Sequence, residues 1–105
     1  MVVLLLLLGC APEAWEQGTW AETHRIAADG TQTASAGTGG TLRIDGDTCQ
    51  LGQGEAVACS STGSGDTRTL SLVRGGPRTW TLERQDDRHM VLDRGDKRFV
   101  LERRD

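Results

Sequence analysis

The chain has no tyrosine, one phenylalanine and two prolines among its 105 residues. It has no apolar run approaching the roughly 20 residues needed to cross a bilayer as a helix. It has no basic surplus: 12 Lys+Arg stand against 15 Asp+Glu, for a net charge of -3. That balance argues against a nucleic-acid binder. Large apolar residues are also scarce. From residue 11 onward Leu, Ile, Val and Phe number 14 in 95, below the roughly one-fifth at which chains commonly stay disordered. The high net charge that accompanies disorder is missing, however. A chain this short holds one domain, and this one is too poor in apolar mass for a layered enzyme with a deep cleft.

The apolar residues that exist are unevenly spread. Eight of the first nine positions are apolar, in Met1-Val2-Val3-Leu4-Leu5-Leu6-Leu7-Leu8-Gly9. This is the length of a secretory apolar region, and Cys10 follows directly. A buried first strand or a short core helix is the other reading of such a run. Leu7-Leu8-Gly9-Cys10 resembles the lipobox of bacterial lipoproteins. That resemblance implies a signal peptide over residues 1–9, lipid on the Cys10 thiol, cleavage before it and acylation of the new amine, palmitate among the acyl groups. No Lys or Arg precedes the run, which departs from the family pattern and points to a start codon upstream of Met1. Ala11 rather than Asp after the cysteine implies the bacterial outer membrane, on its periplasmic or surface face. Two or more acyl chains hold a protein stably on a membrane. Residues 10–17 are then the lipidated cysteine and a tether, and seven residues reach at most roughly 25 Å.

Residues 18–105 read as strands cut by turns. Asp29-Gly30, Asp45-Gly46-Asp47, Gly52-Gln53-Gly54, Gly63-Ser64-Gly65-Asp66, Gly75-Gly76-Pro77, Asp86-Asp87 and Gly95-Asp96 are turn signals at meander spacing. Between them, apolar residues alternate: Leu42 and Ile44, Leu70 and Leu72, Trp80 and Leu82, Met90 and Leu92, Phe99 and Leu101. Period-two alternation buries one face of a sheet. The expectation is all-β, an antiparallel up-and-down meander of seven to nine short strands forming a small closed or partly open barrel. Residues 31–40 and 60–66, rich in Gly, Ser, Thr and Ala, are expected to be mobile loops or weak strands. The stronger core is expected in residues 70–101.

With Cys10 lipidated, Cys49 and Cys59 remain, centred on residue 54. A hairpin about that point sets Leu51 opposite Val57 and Cys49 opposite Cys59, which makes a disulfide geometrically plausible, and export would permit it. Two free thiols in a cytosolic protein are the alternative. A metal site is disfavoured, because His24 and His89 are distant and the spacing matches no zinc pattern.

Gly18-Thr19-Trp20 resembles the G-x-W signature that opens lipocalins and lipocalin-like bacterial lipoproteins. The resemblance implies that Trp20 closes the bottom of a barrel and that an arginine of the last strand, Arg98 or Arg103, packs across it. The chain is shorter than a full lipocalin and lacks the T-D-Y turn motif, so the resemblance is to a compact lipocalin-like domain. A generic strand start with a core tryptophan is the alternative. Eight strands leave room for side chains or one small ligand, and with strands this short, filling is expected.

No residue pattern points to catalysis, metal or cofactor. His24 and His89 read as solvated strand histidines. Asp86-Asp87 would point to opposite faces of a strand. Gly37-Thr38-Gly39-Gly40 lacks the lysine of a phosphate loop. Charge is segregated: residues 1–65 carry 2 basic and 7 acidic side chains, residues 66–105 carry 10 and 8. Cross-strand ion pairs on exposed faces account for the alternating Arg and acidic residues of the C-terminal hairpins. The expected function is a non-enzymatic envelope lipoprotein with a lipocalin-like binding module. It meets the membrane through Cys10 and takes a small apolar ligand or an envelope protein, with no nucleic acid. A structural or assembly role in the envelope is the alternative, and a small periplasmic hydrolase inhibitor ranks last.

Overall fold

The computed structural model describes residues 14–35 and 40–104. It is all-β, with no helix among the described residues. Nine strands follow in order: β1 (Gly18–Ile26), β2 (Gln32–Ala34), β3 (Thr41–Asp45), β4 (Thr48–Leu51), β5 (Val57–Thr62), β6 (Thr67–Val73), β7 (Pro77–Arg84), β8 (His89–Asp93) and β9 (Arg98–Arg103). From β3 each strand pairs antiparallel with the next, and β9 returns to β1. The sheet therefore closes. β3 lies along the first half of β1, from Gly18 opposite Ile44 to Ala21 opposite Thr41. β2 lies along its far end, from His24 opposite Ala34 to Ile26 opposite Gln32. The closed circuit is thus β1 and β3 to β9, an eight-strand barrel, with β2 as one extra strand on β1.

Alternation decides which side chains go inside. Leu42 and Ile44 are buried on β3 while Thr41, Arg43 and Asp45 between and beside them are exposed. Leu70 and Leu72, Trp80 and Leu82, Met90 and Leu92, and Phe99 and Leu101 repeat the pattern on the last four strands. With Trp20 and both half-cystines they form one continuous core. The interior is filled by these side chains, as a barrel of eight short strands allows.

One irregularity sets the shape of β1. Its register against β9 shifts between Glu22, opposite Leu101, and His24, opposite Val100. The extra residue, Thr23, is a β-bulge, which bends a strand and re-aims its side chains. Glu22 stays on the inner register, and beyond the bulge β1 stays paired with β9 while its other edge takes β2.

Cys49 and Cys59 form a disulfide, with Cα atoms 5.8 Å apart. The hairpin register differs from the sequence expectation, however. Cys49 stands opposite Val57, not opposite Cys59. Leu51 is held by β3, opposite Leu42, and the chain turns away at Gly52, whose N–H donates to the Thr41 carbonyl at 2.9 Å. The chain leaves β4 at this turn, and β5 rejoins it with Val57 opposite Cys49, two residues from the expected register. Because the shift is even, Cys59 keeps its inward face and reaches Cys49 along the diagonal.

One further expectation is corrected. Residues 15–17 are not tether: Trp15 and Glu16 are buried in the domain. Of the two readings of residues 60–66, residues 60–62 are strand, the end of β5, paired with β6 from Cys59 opposite Leu72 to Thr62 opposite Thr69. Asp86 and Asp87 lie in the turn between β7 and β8 that they signal in the sequence.

Candidate functional site

The two ends of the barrel are built differently. At one end the turns after β3, β5 and β7 gather around residues 14–17. Trp15 donates its indole N–H to the Gly65 carbonyl at 2.8 Å, and Gln17 accepts from the Gly46 N–H at 2.7 Å. Glu16 meets Arg68 at 3.4 Å, the two side chains 6% and 5% exposed. Arg68 follows the inward alternation of Leu70 and Leu72, which carries it beneath the barrel. Its guanidinium and that of Arg84 lie over the Trp15 ring, at 5.4 and 5.7 Å. Trp20 is 1% exposed and donates to the Glu16 carbonyl at 3.0 Å.

Arg103 completes this seal. It stands opposite Trp20 in the ladder and its guanidinium lies 4.5 Å over the Trp20 ring. It also donates to the carbonyls of Gln17, at 2.8 Å, and Trp15. Arg98 lies at the opposite end, bonded to the Ala27 carbonyl at 3.2 Å. Of the two arginines considered for this place, Arg103 occupies it, because it shares the inward register of Phe99 and Leu101. The Trp15 and Trp20 indoles both donate to carbonyls and both rings lie under guanidinium groups, so this end is closed among the described residues.

The other end is open. A pocket of about 90 Å³ enters the mouth between Leu42, Leu51, Leu92, Phe99 and Leu101, with Glu22 and Arg94 at its edge. The Glu22 side chain is 10% exposed. Its carboxylate accepts from Ser35 Oγ at 2.5 Å and from Arg25 Nε at 3.3 Å. Arg94 covers the Trp80 ring at 4.9 Å. A larger depression of about 350 Å³ adjoins at Phe99, lined by Arg25, Ile26, Ala27, Thr33, Lys97 and Arg98 among others. The interior pocket is far below the volume that buries a drug-sized ligand.

The remaining candidate residues are dispersed. His24 shares a hydrogen bond with Thr23 Oγ1 at 3.0 Å. His89 is held between Asp86, 2.9 Å from Nδ1, and Glu102, 3.2 Å from Nε2. The Asp86 carboxyl is held below its ordinary value by the Arg88 backbone N–H and by His89. No group of three His, Cys, Asp or Glu side chains suited to a metal occurs among the described residues. Cys10 lies outside the described residues. Sequence reasoning missed Trp15, Glu16 and Arg68. The inward register of Arg68 was the available signal, since an arginine two residues before a buried leucine on a strand needs a buried partner. Against known protein families, curated proteins and solved structures, the chain finds no match.

Proposed function

We propose that this chain is a non-enzymatic bacterial envelope lipoprotein, carried on the outer membrane by lipid at Cys10, whose lipocalin-like barrel binds through its open end. The observation that carries the reading is the asymmetry of the barrel. The end bearing the N-terminal segment is sealed by Trp15, Trp20 and Arg103, and the opposite end has the accessible mouth. Five residues from Cys10 to Trp15 span at most about 18 Å. An anchor at Cys10 thus holds the sealed end toward the bilayer and turns the mouth away from it. The Cys49 to Cys59 disulfide suits a compartment outside the cytoplasm. The filled interior favours a ligand held at the rim over one swallowed by the barrel.

Radiolabelled palmitate fed to bacteria expressing the full chain tests the reading. Label is expected on the protein in the outer-membrane fraction and absent from Cys10→Ala. Unlabelled wild-type protein, or equal labelling of the variant, overturns it.

A further inference from the structure

The arginines of this barrel divide into two populations. Arg43 meets Asp45, Arg68 meets Glu16, Arg84 meets Asp66, and Arg104 meets Glu102. These lie on the wall or toward the closed end. At the open end, Arg74, Arg78, Arg94, Lys97 and Arg98 form no ion pair among the described residues. Only Arg25 does, with Glu22. At the closed end Arg88 also forms no ion pair among the described residues, donating instead to the Arg103 carbonyl at 2.9 Å, so the cations without an ion pair lie mostly, not wholly, around the open end of a chain whose net charge is -3.

The strand register explains the concentration. Arg78 precedes Trp80 by two residues and stands opposite the buried Leu72, so it continues the inner face to the rim. Arg25 stands opposite the buried Phe99. Arg94 continues the row of Met90 and Leu92 and closes over Trp80. Lys97 shares the 350 Å³ depression with Phe99, Arg25 and Arg98. Arg78 donates to the Arg74 carbonyl at 3.1 Å, which brings the turn after β6 into the same rim. The acids at this end are Glu22 at the edge of the pocket, Asp29 and Glu55 in the turns after β1 and β4, Asp93, which stands opposite Arg98 and accepts from the Gly95 N–H at 2.8 Å, and Asp96, which lines the depression, so the cations outnumber them only narrowly. Cations clustered at a concave opening with low-dielectric walls focus the field and attract anions. Guanidinium groups bind phosphate and carboxylate oxygens in pairs. Apolar surface adjoins them: Phe99 belongs to both the cationic depression and the small pocket of Leu42, Leu51 and Leu92.

We infer that the open end binds an oxyanion, phosphate above all, carried by a molecule with a short apolar segment. Arg94, Lys97 and Arg98 hold the anion and the Phe99 pocket takes the apolar end. This deepens the reading of the open end as the binding surface and rests on it. The same chemistry belongs to a phosphate-bearing lipid headgroup and to a soluble phosphate ester.

Full-length chain in a neutral sugar detergent is titrated calorimetrically with four probes: inorganic phosphate, hexyl phosphate, dihexanoyl phosphatidate and hexyltrimethylammonium. Trp80 fluorescence is followed in parallel, since a ligand that draws Arg94 away uncovers the ring. Phosphate-bearing probes are expected to bind and the cationic probe to fail. Arg94→Ala/Lys97→Ala, two exposed positions, is expected to weaken hexyl phosphate at least tenfold, while Arg43→Ala on the wall leaves it unchanged. Tightest binding of the phosphatidate supports a lipid source, and equal binding of hexyl phosphate supports a soluble one. Binding of the cation as strong as that of hexyl phosphate overturns the inference. So does binding within twofold of wild type in the double variant, or no binding of any anion at millimolar concentration. The palmitate experiment is independent of these arms, so loss of the anion site leaves the lipoprotein reading standing, and the reverse.

Discussion

The Glu16 and Arg68 pair offers the sharpest test of how the closed end is built. Both side chains are about 95% buried, and the pair joins a segment before the first strand to the start of β6. Glu16→Ala removes this carboxylate from a buried guanidinium that also donates to the carbonyls of Gly65 at 2.8 Å and Thr67 at 3.4 Å. Removing one member of a buried pair typically costs about 3–5 kcal/mol. A domain of this size has roughly 5–15 kcal/mol in hand. At about 4–8 °C per kcal/mol, the melting temperature should fall by on the order of 15–30 °C. The double variant Glu16→Leu/Arg68→Met fills the same space without charge. It should recover most of the loss, since apolar replacement of a buried pair is often neutral or stabilising. Urea denaturation of the wild type, Glu16→Leu, Arg68→Met and the double variant gives the coupling energy directly. A single variant costing under about 1 kcal/mol, or a double variant as unstable as the sum of the singles, would refute the argument that residues 14–17 are an integral plug.

Four other outcomes follow from the same structure. Replacing Cys49 and Cys59 with alanine opens a ten-residue loop and should cost about 2.5–3 kcal/mol on the chain-entropy model, read as a lower urea midpoint that reductant does not lower further. Gly63→Ala should destabilise by about 1–3 kcal/mol, because Gly63 has φ +114 and an added Cβ would sit 2.8 Å from the Thr67 carbonyl oxygen. Gly65→Asn, at φ +68 with open space around it, should cost only a few tenths of a kcal/mol by the same chemical denaturation, since asparagine tolerates this region. The Asp86 carboxyl is held below its ordinary 3.8 by the Arg88 N–H and by His89. Its stabilisation is therefore complete above pH 3.8 and is lost as pH falls through the lower folded value. Asp86→Asn should lessen the acid sensitivity of the melting temperature below pH 4.

The barrel was largely legible in the sequence because its signals are local. Each pair such as Leu70 and Leu72 or Phe99 and Leu101 names its own inward face, and turns like Gly46-Asp47 mark where a strand reverses. The disulfide was legible for the same reason, from ten residues of separation about a glycine turn. The hairpin register was not, because the glycines at 52 and 54 permit more than one even register with the same inward faces, and nothing local chooses Val57 rather than Cys59 as the partner of Cys49. The Thr23 bulge leaves no mark in composition. Trp15 and Glu16 follow no periodicity, and Glu16 finds Arg68 across 52 positions, so only the folded sheet brings them together. The cationic rim lay between these cases. The sequence displayed the charge segregation, but cross-strand pairing accounted for it until the closed barrel separated the paired arginines from the unpaired ones.

Intact mass measurement of the protein from bacterial membranes, before and after reduction and alkylation, probes the whole account at once. The expected species starts at Cys10 with a diacylglyceryl adduct and gains two alkyl groups only once reduced. An unmodified chain retaining residues 1–9, alkylated at Cys49 and Cys59 without reduction, would contradict it.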